Sequence, residues 1–401
     1  FNRFIHWQFH KLYEKGYITQ GTHPVGWDPV VGTPVSMHDT KGDVEPEIGE
    51  FTLLFFTLDD GSILPAATLR PETVFGAVNV WVNPEAIYVK AEVDGRVWIV
   101  SKEAIMKLEH QLRKVRVLEE FRGEKLVGLR VRNPATGWRI PVLPAPFVDP
   151  DMATGIVMSV PAHAPYDYVA LRDIMKNKEL LAKVDVKPEE LKPVTVVKVP
   201  NLSDKLAVDI VKKMGIGSQL DRRKLDEATR EVYSIEFKQG IVVDEVAERA
   251  ATDVEDENAR RYIIAAVKSL IIGKSVPEAR ENTTKWLREA GLADSMYEII
   301  NGPVYSRWGN KVIVKILEDQ WFIDYGLESW KQLCRELLAN MRILPPTFRK
   351  DFEEAIEWIK RRACARTRGL GTKLPWDESW IIESLSDSTI YMAYYLSLIH
   401  I

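Results

Sequence analysis

Cysteine is nearly absent from this 401-residue chain, which holds only Cys334 and Cys364. Two thiols give no disulfide framework, and the scarcity suits a reducing compartment. No apolar run reaches the roughly 20 residues that a membrane-spanning helix needs, and nothing at the start reads as a secretory signal. A strong excess of one charge is missing as well: 54 Lys and Arg face 58 Asp and Glu, for a formal net charge of −4. That balance excludes coating of nucleic acid by the whole surface but leaves room for a local basic patch that contacts RNA. Internal repeats and low-complexity tracts are also missing. What remains is ordinary globular composition, 46% apolar and 28% charged. The length implies two or three domains. A first residue Phe1 in place of methionine leads us to expect a piece of something larger, cytoplasmic and without membrane contact.

Periodicity divides the chain. Phe1, Phe4, Ile5, Phe9, Leu12 and Tyr13 recur at helical spacing before Gly16, which predicts a helix over 1–16. Residues 20–45, rich in Gly, Pro, His and Asp, read as an irregular connection. From Glu50 the pattern becomes strand-like. Two hairpins are expected, one turning at Asp60-Gly61 and one at Asp94-Gly95, where glycine accepts the positive φ of a tight turn. Ser101 is placed to N-cap a helix. Strand-like runs follow near 117–132, 139–148 and 155–160, and Pro165 suits the first turn of another helix. Residues 184–240 mix short strands with Lys-rich amphipathic helix, and 241–292 read as mostly helical. A strand is expected over Lys311–Ile316 and a helix over 351–363. The fold class that follows is α/β, a mostly β middle domain with inserted helices, flanked by shorter pieces of another fold.

Chemistry concentrates in two segments. In Thr68-Leu69-Arg70-Pro71-Glu72-Thr73 an apolar strand ends between two threonines. A threonine hydroxyl can hold a ligand oxygen while its methyl refuses a neighbouring alkyl group. Threonine is equally common as packing beside strands. In Gly155-Ile-Val-Met-Ser-Val-Pro-Ala-His-Ala-Pro-Tyr-Asp167 a buried strand ends near Val160, and Asp167 falls in the first turn of the next helix. A carboxylate there is favoured by the helix N-terminus. Facing a cleft it would bind an ammonium group; facing inward it merely satisfies its own helix end. His163 stands four residues earlier, on the same helix face only if the turn is already helical. One His and one Asp are too few for zinc. His23, Asp28, His38 and Asp39 match no metal signature. Arg361, Arg362, Arg366, Thr367 and Arg368 beside Gly369-Leu370-Gly371 suit phosphate or RNA contacts, or a solvated basic helix end.

Taken together, these segments resemble leucyl-tRNA synthetases of the archaeal and eukaryotic-cytosolic type. Thr68–Thr73 resembles the threonine-rich peptide of the family's editing domain, and Gly155–Asp167 its second editing motif. Lys11–Asp39 is similar to the run that leads into that inserted domain. Thr367-Arg-Gly-Leu-Gly-Thr-Lys-Leu-Pro-Trp376 with Glu383-Ser-Leu-Ser-Asp-Ser-Thr-Ile-Tyr-Met-Ala-Tyr-Tyr395 resembles the leucyl enzymes in particular, as against their isoleucyl and valyl relatives. The ending 396–401 resembles nothing in the family. The His-Ile-Gly-His and Lys-Met-Ser-Lys-Ser motifs that bind ATP in this class are absent. Bacterial relatives have two consecutive threonines where Thr68-Leu69 stands, and many have an aspartate in place of Ala164. Positions that carry zinc-binding cysteines in some relatives hold Asp28, Val31, Ser306 and Trp308, which argues against a metal.

The resemblance implies a β-barrel-containing editing domain over 47–305. Partial segments of a Rossmann-type catalytic domain would flank it over 1–46 and 306–401. It implies hydrolysis of the ester on leucine tRNA mischarged with isoleucine, valine or a norvaline-like residue. Asp167 would pair with the α-ammonium group, Thr73 would exclude leucine, and Thr68 and Arg70 would seat the terminal adenosine. Leu69, Met158, Val160 and His163 would lie against the substrate. No cofactor is expected for editing. ATP and Mg2+ would serve only the longer ligase, and the expected state is a monomer whose partner is the aminoacylated tRNA 3′ end. The rivals are a tRNA-binding module without catalysis and the editing domain of an isoleucyl or valyl relative.

Overall fold

The computed structural model describes residues 1–251, 254–367, 369–388, 390 and 391. Two compact units are present, one formed by Phe1–Val25 with Ile316–Ile401 and the other by Gly26–Lys315.

The larger unit is built on hairpins whose turns follow from local chemistry. Strands Ile48–Thr57 and Ile63–Thr68 pair antiparallel, Thr57 opposite Ile63 and Thr52 opposite Thr68. Gly61 closes their turn at φ 82°. The Asp60 carboxylate accepts bonds from the Ser62 N–H and hydroxyl. Strands Ile87–Val93 and Arg96–Ser101 form the second hairpin. Asp94 and Gly95 both take positive φ there, at 49° and 82°, the twist that matches a right-handed strand pair.

Six strands then close on themselves. Their order is Val157–Ser159, Asn79–Val82, Arg139–Pro144, Arg130–Arg132, Ile48–Thr57 and Ile63–Thr68. The ends rejoin where the Ala67 N–H donates to the Ile156 carbonyl at 3.3 Å and the Thr154 hydroxyl donates to the Pro65 carbonyl. Residues two apart on these strands fill one core: Leu54 and Phe56, Leu64 and Ala66, Val80 and Val82, Ile140 and Val142. Their neighbours face outward into other layers, Leu53, Phe55 and Ile63 into one and Trp81 and Leu143 into another. This alternation is the period-two signature of a small barrel packed with side chains. The mixed α/β class, a mostly β domain with inserted helices, therefore stands as read from the sequence, and the barrel as the resemblance implies. Outside the barrel, helices Pro165–Lys176, Leu206–Lys213 and Arg222–Gln239 share a core through Val169, Ile210, Leu225 and Val232.

The smaller unit packs helix Asn2–Glu14 through Ile5 and Phe9 onto Trp321, Ile323, Leu374 and Trp380. Two expectations change. The segment expected to be irregular over 20–45 begins as strand, Ile18–Asp28, because sheet neighbours outweigh a weak local preference. The helix expected over 351–363 is Arg349–Trp358. Arg361–Ala363 instead pairs with strand Ile313–Asp324, and the Arg361 guanidinium lies over the Phe322 ring at 3.9 Å. Arg368, Thr389 and the ending 392–401 lie outside the described residues.

Asp28 sits fully buried in the larger unit. Its carboxylate accepts bonds from the Val30 and Val31 N–H groups, the Ser306 hydroxyl at 2.7 Å and the Asn310 amide. Burial opposes its ionisation, but these four donors outweigh that and hold the carboxyl below its usual range. Among the described residues no group of three His, Cys, Asp or Glu stands close enough to hold a metal ion.

Candidate functional site

The threonine-rich peptide leaves the barrel at the end of strand Ile63–Thr68 and folds back at once. The Thr68 hydroxyl accepts from the Arg70 N–H at 2.9 Å. The Thr73 hydroxyl donates to the Arg70 carbonyl at 2.8 Å. Pro71 opens a short 3-10 turn over Pro71–Gly76 in which every residue is buried. Both hydroxyls thus shape the turn that carries them, which fixes where their methyl groups point.

The second segment arrives from the neighbouring strand. Helix Pro165–Lys176 begins with proline in its first turn. His163 precedes it in a turn, so His163 and Asp167 do not share a helix face. Asp167 is buried, and its carboxylate is not spent on its own helix. One oxygen accepts from Trp81 Nε1–H at 3.0 Å and the other from the Val160 N–H at 2.7 Å. Among the described residues no cation makes a hydrogen bond or ion pair with it. Burial pushes its pKa up to about 7, and the two donors offset only part of that penalty. A carboxylate this poorly compensated favours either a proton or an incoming cation.

Between the two segments lies a cavity of about 540 Å³, lined among others by Thr68, Thr73, Met158, Val160, Asp167 and Tyr233. Leu69 and Arg70 line it too, and the volume falls in the range of small-molecule sites. Seven of the eight residues marked in the sequence therefore meet at one opening. His163 does not line it. Its ring is fully buried, with Nδ1 against Glu236 at 2.8 Å and Nε2 accepting from the Val196 N–H at 2.8 Å. Because Nε2 is an acceptor, the proton sits on Nδ1 and is donated to Glu236. A groove of equal volume runs past Glu50, Arg280, Glu281 and Arg288. It bears surface charges and none of the marked residues, so the cavity with the buried carboxylate is the stronger site.

Sequence reasoning missed the layer beneath. Arg70 donates from Nε to Glu72 at 2.9 Å and from Nη1 to Glu236 at 2.6 Å, and its guanidinium lies 4.9 Å from the Tyr233 ring centre. Both glutamates are buried. Tyr233 and Glu236 come from helix Arg222–Gln239, whose buried residues are Leu225, Ala228, Val232 and Glu236. A glutamate in register with an apolar stripe was the available signal, since a carboxylate is rarely buried without a partner.

Comparison with known proteins places the chain among related sequences and folds. Residues 51–205 match the family model described as leucyl-tRNA synthetase, editing domain. The chain is 54% identical to the leucine–tRNA ligase of Ignicoccus hospitalis over 98% of its own length and 38% of that protein. It is 48% identical to the leucine–tRNA ligase of Pyrococcus abyssi over its full length and 40% of that protein. The chain thus spans about two fifths of the length of these curated relatives. Among solved structures, the editing domain of the P. knowlesi cytosolic leucyl-tRNA synthetase shares the fold with a TM-score of 0.52 at 19% identity. That match covers 64% of this chain and 98% of the other.

Proposed function

This chain is a segment of the leucyl-tRNA synthetase family that carries the family's editing domain, and from that premise we propose that its cavity hydrolyses the ester of mischarged leucine tRNA. We read the editing domain as residues 47–305 and the flanks, 1–46 and 306–401, as parts of a Rossmann-type catalytic domain. The substrate is the aminoacylated 3′ end of the tRNA, carrying isoleucine, valine or a norvaline-like residue, and the protein acts as a cytoplasmic monomer. The observation that carries the reading is the buried Asp167 carboxylate, which has two neutral donors and no cation among the described residues and lines the same cavity as Thr68 and Thr73.

Asp167 anchors the α-ammonium group of the amino acid. That cation supplies the compensation which burial denies the carboxylate, and it draws Asp167 back to its ionised form. Thr73, held by its bond to the Arg70 carbonyl, is the rigid wall that refuses leucine. Met158 and Val160 face the side chain that is admitted. Thr68, Leu69 and Arg70 seat the adenosine end.

Water is the nucleophile. His163 has both ring nitrogens engaged, so it supports the floor of the site and takes no proton from the water. Catalysis is positional: the ester carbonyl and the water are held in reacting geometry by the anchors at either end. A second site of this kind is needed because one methylene is worth only about 1–3 kcal/mol to a synthetic pocket; synthetase editing is the standard example of that limit. ATP and Mg2+ serve activation in the longer ligase. This sequence has neither ATP motif, and no step here runs through them.

The test is deacylation by the isolated chain of tRNA charged with isoleucine or with leucine. Hydrolysis of the first with sparing of the second is expected. Binding of both without hydrolysis would favour the non-catalytic module instead.

A further inference from the structure

The ion-pair network under the cavity contains one residue that neither marked segment supplies. Glu236 lies on helix Arg222–Gln239, beyond the residues 51–205 of the editing-domain match. Its side chain is only 1% exposed, and its two oxygens are divided between the two halves of the site. Oε2 accepts from Arg70, next to the threonine-rich turn. Oε1 accepts from His163, in the turn that leads to Asp167. Burial opposes its ionisation, yet His163 and Arg70 together hold it below the usual carboxylate range.

Arg70 is correspondingly immobile. Glu72 holds Nε, Glu236 holds Nη1 and the Tyr233 ring packs beside the guanidinium. Among the described residues Nη2 is buried without a hydrogen-bond partner, and Arg70 lines the cavity. An unsatisfied buried donor on a charged group is costly, so this edge is where a ligand oxygen belongs. The charge balance narrows the choice. The pairing divides one guanidinium between two buried carboxyl groups, Glu72 and Glu236. It therefore disfavours a phosphate and favours a neutral oxygen of the ribose or ester.

Resting on the editing reading above, we propose that Glu236 is a positioning residue for the reaction: it aims the free Nη2 edge of Arg70 at a neutral oxygen of the ligand and, through His163, ties that donor to the Asp167 turn. Glutamine cannot take over. Its amide oxygen accepts from one partner only, and its NH2 meets a second donor.

The probe is isoleucine joined by an amide bond to adenosine, which contains no phosphate and cannot be hydrolysed at the ester. Calorimetry on the 401-residue chain should show binding weakened about tenfold or more in Glu236→Gln, the usual scale for a lost hydrogen bond to a charged group. Arg70→Ala should weaken it similarly. The double variant Arg70→Ala/Glu236→Gln should bind no worse than Arg70→Ala alone, because both changes remove one interaction. In deacylation the Glu236→Gln defect should appear mainly in KM. If Glu236→Gln does not fold, Glu236→Asp, which keeps the charge but cannot span both partners, enters the same cycle. Unchanged binding in the variant, or losses that add, would overturn the assignment. A wild-type chain that binds the analogue but releases no isoleucine from tRNA would sink the editing reading while leaving this assignment in place.

Discussion

Replacing Asp167 with asparagine tests the site without any substrate. The carboxyl has a pKa of about 7 in the folded chain against an ordinary value of 3.8. Between those values the folded state keeps a proton that the unfolded chain has released. A pKa raised by folding therefore contributes stability that is lost as pH rises through this window, and the loss is complete above it. About three units at 1.36 kcal/mol each come to about 4 kcal/mol by pH 8. Asparagine does not titrate, so the variant lacks this slope. It has its own cost, independent of pH. The asparagine oxygen can accept from Val160 N–H or from Trp81 Nε1–H but not from both, and one buried donor left unpaired costs about 1–3 kcal/mol. Urea unfolding followed by circular dichroism from pH 4 to pH 8 should thus find the variant less stable at pH 4, where most of the wild type's contribution is still present. Its curve should meet or cross that of the wild type by pH 8. Parallel curves would mean that Asp167 titrates normally, and the argument from an uncompensated carboxylate would fail.

Three further outcomes follow from the same geometry. Thr73→Ala removes the proposed wall and its bond to the Arg70 carbonyl, so the variant should release leucine from correctly charged tRNA; strict sparing of leucine would refute the wall. Trp81→Phe deletes one of two donors to Asp167 and should raise the pH midpoint of deacylation by about one unit, as loss of a hydrogen bond to a charged group requires. An unmoved midpoint would show that activity does not depend on this ionisation. Lys107, 2% exposed, pairs with the nearly buried Glu298. Lys107→Ala leaves that carboxylate without its cation, held only by the Ala153 and Ile299 N–H groups, and should cost about 3–5 kcal/mol in urea unfolding, most of it recovered when Glu298→Gln is added. A loss below 1 kcal/mol would contradict that account.

Much of the frame could be read from local chemistry. Both Asp-Gly turns needed only glycine's tolerance of positive φ, and Pro165 announced the helix that bears Asp167. Barrel closure could not be read, because it depends on a bond between Ala67 and Ile156, 89 positions apart, and no periodicity encodes which strand ends meet. The donors to Asp167 were hidden for the same reason. Trp81 looks like one more apolar residue in a short buried strand until its Nε1–H is seen facing a carboxylate. Strand Ile18–Asp28 was missed because its Gly and Pro content was given more weight than the sheet neighbours that settle it.

The seam between Ala67 and Ile156 has a further consequence. Thr73, proposed to set the width of the pocket, and Asp167, proposed to anchor the amine, leave the barrel from two strands stitched together at that seam. The anchor's donors, Trp81 and Val160, belong to the strand–turn side, whereas Thr73 is braced by its own turn. On the proposed roles, selectivity and anchorage thus rest on different side-chain contacts, joined beneath the cavity by the Glu236 bridge. The amino acid that the pocket rejects could drift through changes at Thr73 alone, with the charge anchor left standing.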